Sequence, residues 1–301
     1  MGNFDGVHLG HQMIIDHVNG LTKSYGGESV LITFWPHPRI VLQPNLASSL
    51  RFLTLIDEKK EILQNTGLDH LLIIPFTEAF SRLGYRRFIK DYLVNGLNMR
   101  HLVLGFNHQF GKNREGRFEN VLELATELNF KADKVGQYSI DEELVSSSSI
   151  RKLILTGNIS KANAYLGYIY FIDGQVGTGK KLGRTIGFPT ANIQHVSEKK
   201  LIPADGVYAV QLKIGHKIHS GMVNIGTRPT VNNDHSEKSI EVHIFDFGED
   251  IYSKKIRMFF IDRIRDEKKL SGLDELKIQL VHDESNARKI IEQKKLNVIR
   301  V

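Results

Sequence analysis

Two histidines flank a single Leu-Gly pair near the start of the chain, in Gly2-Asn-Phe-Asp-Gly-Val-His8-Leu-Gly10-His11-Gln12. Apolar residues at Met13, Ile14, Ile15 and Val18 follow at once and predict a helix that opens at the motif. The first turn of a helix offers unpaired N–H groups, a ready anion site. Gly10 lets the backbone approach a ligand closely. Two imidazoles beside it can donate hydrogen bonds to phosphate oxygens as charge grows on them. Nucleotidyl transfer needs that combination: the α-phosphate is stabilised in flight while pyrophosphate leaves. No carboxylate stands at zinc-ligand spacing to the pair, which argues against a metal there.

A second chemistry-bearing stretch is Gly174-Gln-Val-Gly177-Thr-Gly-Lys180-Lys-Leu-Gly183-Arg184-Thr-Ile-Gly187-Phe-Pro189-Thr190-Ala-Asn192. It nearly fits a P-loop, but Lys181 stands where a Ser or Thr should hold Mg²⁺, and no clear helix follows. A flexible glycine loop leading into a rigid Pro-Thr-x-Asn turn is the better reading. Further on, residues 239–247 alternate as a strand, with Ile240, Val242 and Ile244 on one face and Glu241 and His243 on the other. A barrel strand with a polar outer face accounts for that alternation equally well.

The elements that must position these residues fall into two styles. Apolar runs at 29–34, 70–75 and 101–105 read as strands, and helix-period stretches at 55–66 and 86–96 lie between them. Asp57-Glu58-Lys59-Lys60 is assigned to a solvated helix face. Strands alternating with helices predict a parallel α/β sheet, which binds ligands at the C-terminal ends of its strands. Residues 146–155 read as a helix stopped by Thr156-Gly157-Asn158, and 160–166 as a second one ending at Gly167. Strands then follow one another at 168–173, 206–213, 219–225, 239–245 and 255–264, predicting an antiparallel β-barrel closed by a terminal helix over 273–293. The boundary falls near 157–167, giving domains 1–160 and 161–301.

Bulk properties agree with a two-domain globular protein. The chain has 301 residues, 41% hydrophobic and 25% charged, and no cysteine, so disulfides and thiolate metal sites are excluded. No run reaches the ~18–20 apolar residues of a membrane span, and the N-terminus lacks the pattern of a signal peptide. A cytoplasmic location is expected. The formal net charge of +6 favours anionic partners.

The motifs together resemble the bacterial FAD synthetase family, bifunctional riboflavin kinases/FMN adenylyltransferases. The N-terminal string resembles the HxGH signature of nucleotidyltransferases. Thr33-Phe-Trp35-Pro-His37-Pro-Arg39 resembles the family's Thr-Phe-x-Pro-His-Pro, with Trp35 where an acidic residue is frequent. Gly105-Phe-Asn107-His-Gln-Phe-Gly111-Lys-Asn-Arg114-Glu-Gly116 and Ser146-Ser-Ser-Ser149-Ile-Arg151 match further segments. Asp141, Glu142 and Glu143 occupy positions where the family often places an Arg. The Gly-Arg-x-x-Gly-Phe-Pro-Thr-Ala-Asn string resembles the riboflavin kinase signature, and Glu241 matches its general base in Glu-x-His-x-x-Asp-Phe.

That resemblance implies a nucleotidyltransferase-like N-terminal domain and a riboflavin kinase-like barrel. It implies His8, His11 and Glu241 as catalytic residues. It implies nucleotide binding by Gly10, Asn107, Arg114, Ser146, Arg151, Gly177, Lys180, Gly183, Arg184 and Pro189, and Mg²⁺ held by Thr190 and Asn192. ATP is the expected co-substrate; riboflavin, FMN and FAD are substrates and products. No nucleic acid or membrane partner is expected, and oligomeric state is not legible. The family's strand before the HxGH loop has no counterpart here, which motivates an alternative of kinase activity alone. A basic nucleic-acid-binding barrel is the second alternative, opposed by Glu241 on the strand that would carry stacking aromatics.

Overall fold

The computed structural model describes residues 1–178, 183, 186–228, 237–268 and 271–294. The chain forms two units, Met1–Ser147 and Ser148–Val301.

Four parallel strands organise the first unit: β1 (Val30–Trp35), β2 (His70–Pro75), β3 (His101–Gly105) and β4 (Lys131–Val135). They pair as β1–β2 and β3–β4, with Ile32 opposite Leu72 and Leu104 opposite Lys134. An apolar slot of about 490 Å³ separates the pairs, lined by Ile14, Val18 and Leu21 of helix α1 (Leu9–Tyr25) and by residues of β1 and β3. The spacing of those apolar residues puts them on one face of α1, and Gly26, in the left-handed region at φ 63°, ends it.

Helices α2 (Ile56–Gln64) and α3 (Phe118–Leu128) complete the crossovers. The helix predicted over 86–96 is α-helical only for Tyr85–Arg87; Phe88–Gly96 is π-helical. Its Phe88, Ile89 and Leu93 enter the core beside Ile32, Leu104, Val121 and Leu124, and each such side chain contributes roughly 1.5–3 kcal/mol by burial. Strand β4 escaped the sequence reading because Lys131 and Lys134 break its apolar pattern; both are exposed. The solvated-face assignment of 57–60 needs correction: Glu58 and Lys59 are 4% and 5% exposed.

The division falls after the first residue of α4 (Ser147–Leu155), and α5 (Ile159–Leu166) follows in the second unit. Six strands then close a barrel: β5 (Phe171–Gly177), β6 (Ala191–Gln194), β7 (Gly206–Ile214), β8 (Lys217–Arg228), β9 (Glu237–Ile244) and β10 (Lys255–Arg265), in the order β8-β9-β6-β5-β10-β7 with every pair antiparallel. Strand β5 starts later than 168, because Gly167 caps α5 and the Tyr170 N–H donates to Asn163 Oδ1 rather than to a strand neighbour. The terminal helix α6 (Leu273–Gln293) packs Ala287 against Ala209, Met222, Phe245 and Ile261. Its buried Asp283 accepts a forked pair of bonds from Arg265 at 2.9 and 2.8 Å, which ties the helix to the end of β10.

Candidate active sites

In the first unit the histidine loop folds tightly, with Phe4 and Val7 at φ 45° and 37°. Such backbone persists only where its surroundings over-determine it, and here several tethers do so. The Gly2 N–H donates to Ile32 of β1 at 2.9 Å. Asp5 Oδ1 accepts the N–H groups of Leu53 and Thr54, and Thr54 Oγ1 accepts from the Gly6 N–H. Lys59 Nζ donates to the Asn3 carbonyl at 2.6 Å, Gln12 Nε2 to the Val7 carbonyl at 2.9 Å, and Ser147 Oγ to the Asp5 carbonyl at 2.9 Å. The loop is held from β1, from Leu53, Thr54 and Lys59, and from Ser147, all within the first unit.

His8 is the N-cap residue of α1, and its ring stacks on His11 at 3.6 Å. Neither Nδ1 has a hydrogen-bond partner among the described residues. Burial pushes His8 down to about 4; burial, then His8, Lys59 and the Met1 amino group push His11 well below the usual imidazole range. Both rings are therefore neutral near pH 7, next to the open first turn of a 17-residue helix. A Cβ on Gly10 would press on the His8 ring at 3.2 Å, so the absent side chain permits the stack.

A cleft of about 750 Å³ opens beside the loop, walled by Met1–Asn3, Arg39, Phe34, Phe80, Asn107 and Arg114. Asn107 and Arg114 both line this cleft, whereas His8, Gly10 and His11 are not among its lining residues; Phe4 packs on His11 at 4.8 Å. Ser146 directly precedes α4. Arg151 lies one turn into that helix, within the second unit. His108, which the sequence reading passed over, lines the same cleft; burial pushes it down to about 3, and its Nε2 has no partner among the described residues.

In the barrel, one row of register partners crosses three strands: Gly177 of β5, Asn192 of β6 and Glu241 of β9, with Asn224 of β8 next to Glu241. Directly opposed side chains share a face about 5 Å apart, so Asn192, Glu241 and Asn224 project together. Asn192 is therefore a strand residue, where the sequence reading placed a turn. Phe188 inserts among Ala209, Met222, Phe245 and Ala287 and fixes the segment leading to Thr190. His243, two residues beyond Glu241 on the same face, donates from Nδ1–H to the Pro189 carbonyl at 2.8 Å. Its spacing from Glu241 was the available signal for this supporting role.

Thr190 and Pro189 line a pocket of about 450 Å³ with Val176, Ile244, Phe247 and Tyr252. Gly183 packs so closely on the Phe188 carbonyl that a Cβ there would collide with it. Lys180 and Arg184 lie outside the described residues. The described residues contain no cluster of three or more His, Cys, Asp or Glu able to hold a metal ion by themselves.

A parallel α/β unit opening on a histidine loop, followed by a closed six-stranded barrel carrying a carboxylate beside a Pro-Thr segment, defines a two-domain transferase. The FAD synthetase family profile matches residues 1–149, and the riboflavin kinase profile matches residues 166–291. Bifunctional riboflavin kinase/FMN adenylyltransferases are similar along nearly the whole chain. The one from Listeria monocytogenes is 38% identical, over 96% of this chain and 90% of its own. That from Bacillus subtilis is 36% identical over 95% and 90%, and that from Escherichia coli 35% over 96% and 90%. A crystal structure described as a macrolide-efflux protein from Streptococcus pneumoniae superposes with a TM-score of 0.88 at 32% identity, covering 96% of this chain and 92% of that one. The chain belongs to the bifunctional riboflavin kinase/FMN adenylyltransferase family. Among the described residues no helix is long and apolar enough to cross a membrane.

Proposed function

We propose that the second unit phosphorylates riboflavin to FMN and that the first unit adenylylates FMN to FAD, each with ATP, in the cytoplasm. The observation that carries the reading is the register of Glu241 against Asn192, with Thr190, two residues before Asn192, lining a pocket that neither of those two lines.

In the kinase unit, Glu241 accepts the proton of the ribityl 5′-hydroxyl as its oxygen bonds to the γ-phosphorus and ADP departs. The hydroxyl, amide and carboxylate oxygens of Thr190, Asn192 and Glu241 are the hard donors Mg²⁺ takes, and Thr190 and Asn192 would hold it with the ATP phosphates. Bound there, Mg²⁺ neutralises charge on those phosphates. The apolar wall of Val176, Ile244 and Phe247 accepts the purine. His243 holds Pro189, and so Thr190, in place.

In the adenylyltransferase unit, an FMN phosphate oxygen attacks the α-phosphorus of ATP and pyrophosphate leaves. His8 and His11 donate hydrogen bonds to the phosphate oxygens, and the first turn of α1 adds its N–H groups. Gly10 keeps the backbone open to the nucleotide. Asn107 and Arg114 orient ligand in the cleft, whose aromatic wall of Phe34, Phe80 and Phe110 suits a flat isoalloxazine. Ser146, just ahead of α4, contributes a phosphate contact in this unit, and Gly177, Lys180, Gly183 and Arg184 contribute them in the kinase unit.

The test is chromatography of flavins after incubation with riboflavin, ATP and Mg²⁺. FMN is expected first and FAD second. Accumulation of FMN with no FAD would restrict the protein to kinase activity.

A further inference from the structure

Lys59 occupies an unfavourable place for a cation. It is 5% exposed, lies in the first turn of α2 near the positive end of that helix dipole, and faces the loop that carries two histidines. Burial lowers its pKa, and the Asp5 carboxylate opposes that shift. Asp5 is itself 7% exposed and divides its Oδ1 between the Leu53 and Thr54 N–H groups. Lys59 Nζ reaches the Asn3 carbonyl at 2.6 Å, so the cation grips the loop backbone directly ahead of Phe4 and Asp5. Positive charge is thus gathered under a loop whose expected ligand is a polyphosphate.

We propose that Lys59 is a positioning residue for adenylyl transfer: it fixes the histidine loop through the Asn3 carbonyl, and its buried charge sets the electrostatic potential where the triphosphate binds. This rests on the adenylyltransferase reading above. The charged and titratable groups facing His11 are His8 from α1, Lys59 from α2 and the Met1 amino group, and Asp5 faces Lys59. Lys59 lowers the His11 pKa by like-charge repulsion. Removing that charge lets His11 protonate at higher pH, and Asp5 acts on Lys59, whose charged form it favours.

The experiment compares kcat–pH profiles for conversion of supplied FMN to FAD by the full chain and three variants. Lys59→Gln keeps a donor for Asn3 but no charge; its kcat is expected to fall by about tenfold and the acid limb to move up by on the order of one pH unit, with KM for FMN little changed. Lys59→Arg is expected to keep the wild-type limb. Lys59→Met, of similar length and equally uncharged, is expected to move the limb up as Lys59→Gln does, and this arm decides the matter even where Lys59→Gln does not fold. A limb at the wild-type position in both charge-removing variants overturns the proposal, as does Lys59→Arg behaving like Lys59→Gln. A wild-type protein that makes no FAD would instead overturn the reading on which the proposal rests.

Discussion

Glu241 and Asn192 face each other across an antiparallel strand pair, and Thr190 leads into that strand from the neighbouring pocket. A carboxylate and an amide are held in one row by the register of the strand pair. The two are consequently difficult to move independently, and substitutions that preserve the strand test chemistry rather than folding.

Glu241→Gln keeps the size and the strand but removes the proton acceptor. FMN formation is expected to fall by about 10²–10⁴-fold, while FMN added to the variant is still converted to FAD. Chromatography with each flavin supplied separately checks this.

Replacing His8 and His11 by Asn is expected to produce the converse. Riboflavin is still phosphorylated, FMN accumulates, and FAD formation falls by on the order of 10²–10³-fold for loss of the transition-state donors. Steady-state rates for the two reactions, measured on one preparation, give the ratio directly.

His243→Leu strips the Pro189 carbonyl of its donor and so releases the tether on the segment that carries Thr190. Because Thr190 follows Pro189, the Mg²⁺ concentration for half-maximal FMN formation is expected to rise, and FAD formation from supplied FMN should not. A Mg²⁺ titration of each reaction separates the two, and chelation of the metal should end FMN formation in every variant.

Three buried imidazoles of the first unit give its stability a defined pH dependence. His8 and His108 are pushed down to about 4 and about 3, and His11 well below its ordinary value. Unfolded, all three protonate near 6.5, so below that pH the unfolded chain binds protons that the folded unit refuses. Stability is full above about pH 7 and falls as pH drops through 6.5 toward 4, by up to about 1.4 kcal/mol per pH unit for each histidine. The loss levels off once the folded-state values are passed. Urea midpoints followed by circular dichroism between pH 7.5 and 4.5 should show this decline, with a smaller slope in His108→Phe.

The strands β2 and β3 and the terminal helix lie where their apolar patterns place them, because each pattern has a period visible locally. Asn192 was legible as a motif residue but not as a strand residue. Its strand has four residues, Ala-Asn-Ile-Gln, starts just after Pro189-Thr190, and is defined by partners as far off as Gly177 and Glu241. Asp5 and Lys59 were illegible for a different reason. A charge on a helix or loop reads as solvated, and only the fold reveals that Asp5 and Lys59 are turned inward to hold the histidine loop. The π-helical turn at Phe88–Gly96 carries the same apolar residues an α-helix would, so composition does not separate the two.

The chain has one tryptophan, Trp35, and it closes β1 of the first unit. Excited selectively at the red edge of indole absorption, its emission reports on that unit, while the tyrosines and phenylalanines of the barrel stay dark. A flavin seated in the neighbouring aromatic cleft absorbs in the range where indole emits, so binding there should dim the signal by energy transfer. The protein thus carries a built-in optical gauge for one half of its reaction sequence.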